Sequence, residues 1–223
     1  MSDPTMTLVP IFATPFATVS LAGSEDFNPA LLSLFSMRAT EAHRDPAIAS
    51  DPLCFRSRED LFEWDHEAVA HLKGEMLGGL CAAVMAVNLY TDAEFGELRV
   101  QARARFTLVR PDGCIPAANL PLASWCAVYC VAAPPPAPTR PDSGVLRLYE
   151  ARLGTMFLDA ANWRLRPPFA TGHHIWRPVP GEMAVFPAPS PHEVALNRTQ
   201  GDLVVVTARV RFASPRQEAM PPW

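Results

Sequence analysis

From Glu97 onward the chain alternates with a period of two: Leu98, Val100, Ala102, Ala104, Phe106 and Leu108 on one side, Arg99, Gln101, Arg103, Arg105 and Thr107 on the other. Successive strand residues point to opposite faces, so this is the clearest predicted strand, with its arginines expected on a solvated edge that resists aggregation. Pro111-Asp112-Gly113 closes it with turn chemistry. Shorter apolar runs predict strands at 125–131, 144–149, 183–186 and 203–212, separated by the proline cluster at 134–141 and a long irregular segment at 151–180. Long segments of that kind in a compact domain are commonly lids or binding surfaces.

Before position 96 the period is helical. Val69, Leu72, Met76, Leu80 and Val84 form one stripe, predicting a helix from about Asp65 to about Val87 that lies flat on a sheet. Gly74, Gly78 and Gly79 weaken it by roughly 1 kcal/mol each unless close packing requires them. An earlier helix is expected from Asn28 as N-cap, with Pro29 at the first helical position, to about Ala39. Leu8 to Phe12 with Thr14-Pro15-Phe16 predicts a short extended segment, and 44–58 a loop. The organisation expected is a single unit over 1–223: a helical part at 1–95, a β part at 96–213 and a tail at 214–223.

Composition narrows the function. The net charge of −4, with eighteen arginines but only Lys73 as lysine and no basic run, leaves no electrostatic case for nucleic acid. No apolar run approaches the length of a membrane helix, and Met1-Ser2-Asp3-Pro4 opens no secretory signal, so a cytoplasmic location is expected. Five cysteines (Cys54, Cys81, Cys114, Cys126, Cys130), without zinc spacing, point to reduced thiols, with Cys126 and Cys130 on one face of a strand. No nucleophile elbow, P-loop, zinc-protease or dinucleotide motif is present. Asp65-His66 is expected to be a helix-capping pair.

The order of helices, a long strand, short strands and a late Phe-Pro before a histidine resembles a bacterial and phage-like family of 2-oxoglutarate/Fe(II) oxygenases. The likeness rests on Val9-Pro10-Ile11-Phe12-Ala13-Thr14-Pro15-Phe16, on Leu61-Phe62-Glu63-Trp64-Asp65, and on Ser124-Trp125-Cys126-Ala127-Val128-Tyr129. It continues through Ser143-Gly144-Val145-Leu146, Glu150-Ala151-Arg152, and Pro178-Val179-Pro180-Gly181-Glu182-Met183-Ala184-Val185-Phe186-Pro187 ahead of His192. It implies a mainly β fold with N-terminal helices: a double-stranded β-helix of the jelly-roll, cupin-like kind.

That resemblance also implies a His-x-Asp pair and a distal histidine on Fe(II), with a basic residue gripping the far carboxylate of 2-oxoglutarate. Carried over position by position, the pair falls on Ala118 and Leu120, and the basic residue on Leu203; only the distal histidine, His192, is kept. Arg209, an even step from Leu203, is the nearest substitute anchor.

Three functions stay open. The first is a non-catalytic binding or assembly module that needs no cofactor. The second is an Fe(II)- and 2-oxoglutarate-dependent hydroxylase-type oxygenase with a rearranged site centred on His192, drawing on His173, His174, Asp159 or Glu150. The third is a small-molecule pocket lined by Trp125, Tyr129, Met183 and Arg209. The expected partner is a small molecule or a protein, with neither nucleic acid nor membrane, and self-association into a homo-oligomer is left open.

Overall fold

The computed structural model describes residues 13–136, 138–150, 165, 168–169, 172–215 and 221–223. Ten strands form two antiparallel sheets. They are β1 (Ala17–Ser20), β2 (Cys54–Arg56), β3 (Arg99–Val109), β4 (Ile115–Ala118), β5 (Trp125–Ala132), β6 (Leu146–Tyr149), β7 (His173–Trp176), β8 (Glu182–Pro187), β9 (His192–Val194) and β10 (Leu203–Ala213). The larger sheet runs β1-β8-β5-β10-β3-β2 and the smaller β4-β9-β6-β7. Facing sheets of this order make a double-stranded β-helix.

One face of the larger sheet carries α1 (Ser24–Arg38) and α2 (Glu67–Met85). The core between them joins Leu31, Phe35, Leu72, Met76 and Leu80 to Phe106, Tyr129, Met183 and Val206. The other face meets the smaller sheet through Cys126, Val128, Cys130, Phe186, Leu203 and Val205. Strand β5 is buried on both sides, which is why its sequence is a continuous apolar run without alternation.

Helix α2 holds the predicted stripe, with Val69, Leu72, Met76, Leu80 and Val84 all buried, and His66 caps it by accepting the Ala68 amide at 3.2 Å. Of its glycines only Gly79 is demanded by packing, since a Cβ there would lie 2.9 Å from Val19 and 3.1 Å from Met183.

The N-cap of helix α1 is Gly23, whose φ is 65°, five residues before the expected Asn28 cap. Glu25 and Asp26 suit the positive end of the helix dipole there. Asn28 is buried within the helix, where its Oδ1 accepts the Tyr129 hydroxyl at 2.7 Å. Pro29 falls in the second turn.

Strand β3 is not an edge strand: β2, in the expected loop at 44–58, pairs outside it, and β10 pairs with its whole length. The expected irregular segment contains β7 at its end; 8–12 and most of 151–171 lie outside the described residues. The five cysteines are free, as expected. No helix among the described residues is long and apolar enough to cross a membrane.

Phe106 joins the sheet to the helices: fully buried, it stacks on Phe35 at 4.4 Å and meets Phe55 at 5.4 Å and the edge of Trp64 at 5.9 Å. Phe106→Ala should therefore cost about 3–5 kcal/mol in urea unfolding.

Candidate functional site

The chain passes from β8 to β9 through Pro187 to Pro191, held by Ala188 N–H donating to Ser124 at 3.0 Å and Leu120 N–H donating to Ala188 at 3.0 Å. This delivers His192 as the first residue of β9. Its Nδ1 lies 2.9 Å from the Ser190 carbonyl. A carbonyl only accepts, so Nδ1 carries the proton and Nε2 keeps its lone pair, the arrangement metal-binding histidines adopt. Burial, against which the Ser190 bond works only partly, holds the imidazole below its ordinary pKa of 6.5. Its ring is edge-on to Phe186 at 5.0 Å.

Cross-strand register shows what surrounds that histidine. Ala118 pairs with His192, His192 with Leu148, and Leu148 with His174, making one row across the smaller sheet. Leu148 packs into the inter-sheet core, so the row faces inward. His192 and His174 are two strands apart, roughly 10 Å between Cα atoms. A chain of rings connects them: His174 to Phe16 at 4.6 Å, Phe16 to Phe186 at 6.3 Å, and Phe186 to His192. His173 goes to the other side, 6.0 Å from Tyr149, so the adjacent histidines diverge as strand geometry requires.

Among the described residues, the positions that the resemblance assigns give Fe(II) and 2-oxoglutarate no donor beside His192. A methyl group stands opposite His192 at Ala118, and Leu120 packs against the inter-sheet core. Leu203 is buried in that core beside Val205, with Leu146 and Leu148 facing them from the smaller sheet. Among the described residues no group of three His, Cys, Asp or Glu side chains could hold a metal. Cys126 and Cys130 lie in the same apolar layer, where burial raises both thiols, that of Cys130 to about 12. Asp159 lies outside the described residues.

Trp125, Tyr129, Met183 and Arg209 do not line one pocket. Tyr129 and Met183 belong to the helix-side core, with Trp125 packed against it, whereas Arg209 pairs with Cys126 and so faces the smaller sheet. Parity along β5 separates them. At the Leu203 end of the sandwich a cleft of about 300 Å³ is lined by Pro134, Pro178, Arg177, Asn197 and Leu203. Arg177 there already donates to the Ser143 and Pro141 carbonyls.

Arg209 shares the sheet face of Leu203 but sits six residues along β10, roughly 20 Å away and towards the His192 end. It is not a free anchor. Glu59 takes ion pairs from both Arg209 and Arg105, and Arg105 also pairs with Asp45 at 3.0 Å. Arg103 stands opposite Arg209 in register. The Trp223 ring covers three guanidinium groups, with centroid distances of 4.2 Å to Arg211, 4.6 Å to Arg209 and 5.5 Å to Arg103. The expected solvated arginine edge is thus a partly buried cluster. The alternating arginines of β3 and the Arg-Val-Arg of β10 were its visible signal, but nothing in the pattern linked them to Glu59, Asp45 or Trp223.

No protein-family model and no curated protein matches the chain. Solved structures do. The chain is similar to a prolyl-4-hydroxylase from Pseudomonas putida at 17% identity and a TM-score of 0.58, covering 89% of this chain and 92% of that one. It is similar to HygX from Streptomyces hygroscopicus, solved with nickel and 2-oxoglutarate bound, at 13% identity and a TM-score of 0.58, covering 92% and 84%. An oxidoreductase of the 2OG-Fe(II) oxygenase family from Burkholderia pseudomallei is similar at 12% identity and a TM-score of 0.50, covering 92% and 89%. These likenesses show the fold: the double-stranded β-helix of the 2-oxoglutarate/Fe(II) oxygenases, as the sequence resemblance implied.

Two outcomes follow from this geometry. Glu59→Ala leaves Arg105 and Arg209, both largely buried, without their shared carboxylate, and should cost about 3–5 kcal/mol in chemical unfolding. For His192 the folded pKa lies below the unfolded value of 6.5, so the unfolded state binds more protons. The stability it contributes is therefore complete above 6.5 and lost as pH falls below it. Urea titrations at about pH 7.5 and about pH 5 should show a smaller acid loss in His192→Leu than in the parent.

Proposed function

We propose that this chain is a non-catalytic relative of the 2-oxoglutarate/Fe(II) oxygenases, keeping the double-stranded β-helix as a binding or assembly module. The observation that carries this reading is the pairing of Ala118 with His192. A facial iron site needs a second and a third donor beside the distal histidine, and the residue facing His192 across the ladder has none. Leu203 supports the same reading, because an isobutyl group cannot replace the bidentate contact of a guanidinium with a carboxylate. Phe16 and Phe186 fill the inward side of the histidine row with rings, which favours packing over coordination. The partner of such a module is a small molecule or a protein.

A second reading has one specific observation in its favour. His192 keeps the ligand-type tautomer through Ser190, and His174 lies in the same inward row. A two-histidine oxygenase site would require Phe16 to withdraw from between the sheets. Metal content of His192→Ala separates the two: a retained metal content would discard this second site.

Protein purified with iron present should carry iron at background level by elemental analysis and should not decarboxylate 2-oxoglutarate. Stoichiometric Fe(II), lost in His192→Ala and accompanied by 2-oxoglutarate consumption, would overturn the non-catalytic reading.

A further inference from the structure

At the His192 end of the sandwich, one face of β3 and β10 carries Arg103, Arg105, Arg209 and Arg211, with Arg99 at the far end of β3. Among the described residues the side-chain carboxylates that pair with them are Asp45 and Glu59, both taken by Arg105 and Arg209, while Arg103 and Arg211 have no carboxylate partner there. Arg211 is 6% exposed, and Arg209 is largely buried, with an Nε that has no hydrogen-bond partner among the described residues. Burial lowers the pKa of Arg209, Glu59 opposes that shift, and Arg103 and Arg105 add to it, as expected where cations outnumber anions. Arg103 is exposed at the rim.

The groups of 221–223 that meet these guanidinium groups are a carbonyl and an aromatic ring. Arg211 Nη1 donates to the Pro221 carbonyl at 2.6 Å, and the Trp223 ring lies over Arg103, Arg209 and Arg211 together. A carbonyl dipole and an aromatic face are weak substitutes for anionic oxygens, which form shorter, charge-assisted and bidentate bonds with guanidinium groups. We propose that this arginine basin binds a phosphate-bearing ligand, and that residues 221–223 occupy the site when the ligand is away. A phosphate dianion suits guanidinium groups without a carboxylate partner among the described residues, and its three terminal oxygens match the three guanidinium groups under Trp223; a single carboxylate offers fewer oxygens and less charge. Arg209 pairs with Cys126 and Cys126 with Phe186, whose ring meets His192, so the basin's ligand lies towards the His192 end of the sandwich. It stands whether or not His192 holds a metal, so it does not depend on the non-catalytic reading.

The test is calorimetric titration of the full chain with inorganic phosphate, at constant ionic strength set by chloride, with tryptophan emission followed in parallel. Saturable one-site binding is expected, with an emission change as Trp223 leaves the arginines. Trp223→Ala should bind phosphate several-fold tighter because the competing ring is gone. Arg103→Gln should bind about ten-fold more weakly with an unchanged melting temperature, since Arg103 is exposed. Acetate should bind at least about ten-fold more weakly than phosphate. No saturable binding by either the parent or Trp223→Ala would overturn the proposal. So would binding that Arg103→Gln leaves unchanged, and equal affinity for acetate would overturn the assignment of phosphate.

Discussion

Strand β10 must be buried on both faces at once: Val204, Val206, Ala208 and Val210 against the helices, Leu203 and Val205 against the smaller sheet. It pairs with β3 on one side and β5 on the other, and so sets the register of the larger sheet. Where the smaller sheet stops covering it, the inward face changes from apolar to cationic at Arg209 and Arg211. Asp45, Glu59 and Trp223 then take over the covering role. The apolar interior and the arginine basin are two lengths of a single face.

This division separates what the fold requires from what a metal site requires. The sandwich needs inward-facing residues that fill space, and leucine at 203 meets that need as well as a polar residue would. Holding an ion needs donors at matched distances, a far narrower demand. Packing therefore keeps the architecture independently of whether the chemistry is kept. His192 satisfies both demands, filling space against Phe186 and remaining a competent ligand atom for atom.

Helix α2 was legible because Val69, Leu72, Met76, Leu80 and Val84, all buried, recur at helical spacing on one face. Strands β3 and β10 were legible by length and composition, and the fold by motif order. Strand β4 was not, since Ile115-Pro116-Ala117-Ala118 has neither alternation nor a β-rich run; β9 is three residues long and pairs only because its neighbours hold it. The facing of Tyr129 and Met183 was hidden because continuous apolar runs carry no parity. The resemblance singled out His192, Ala118, Leu120 and Leu203 for attention. Glu59 and Asp45 lie far from the arginines in sequence, in a segment without periodicity, so tertiary geometry alone could disclose the cluster.

The insertion of β10 between β3 and β5 bears on how the molecule assembles. Arg99 and Ala213, register partners at one end of the β3–β10 ladder, are separated by more than about a hundred residues, so the ladder closes a very long loop. Before it closes, β3 and β5 each present an unpaired edge, and the apolar faces that β10 will cover are open to water. Folding should accordingly be slow, with its vulnerable interval set by the arrival of this strand.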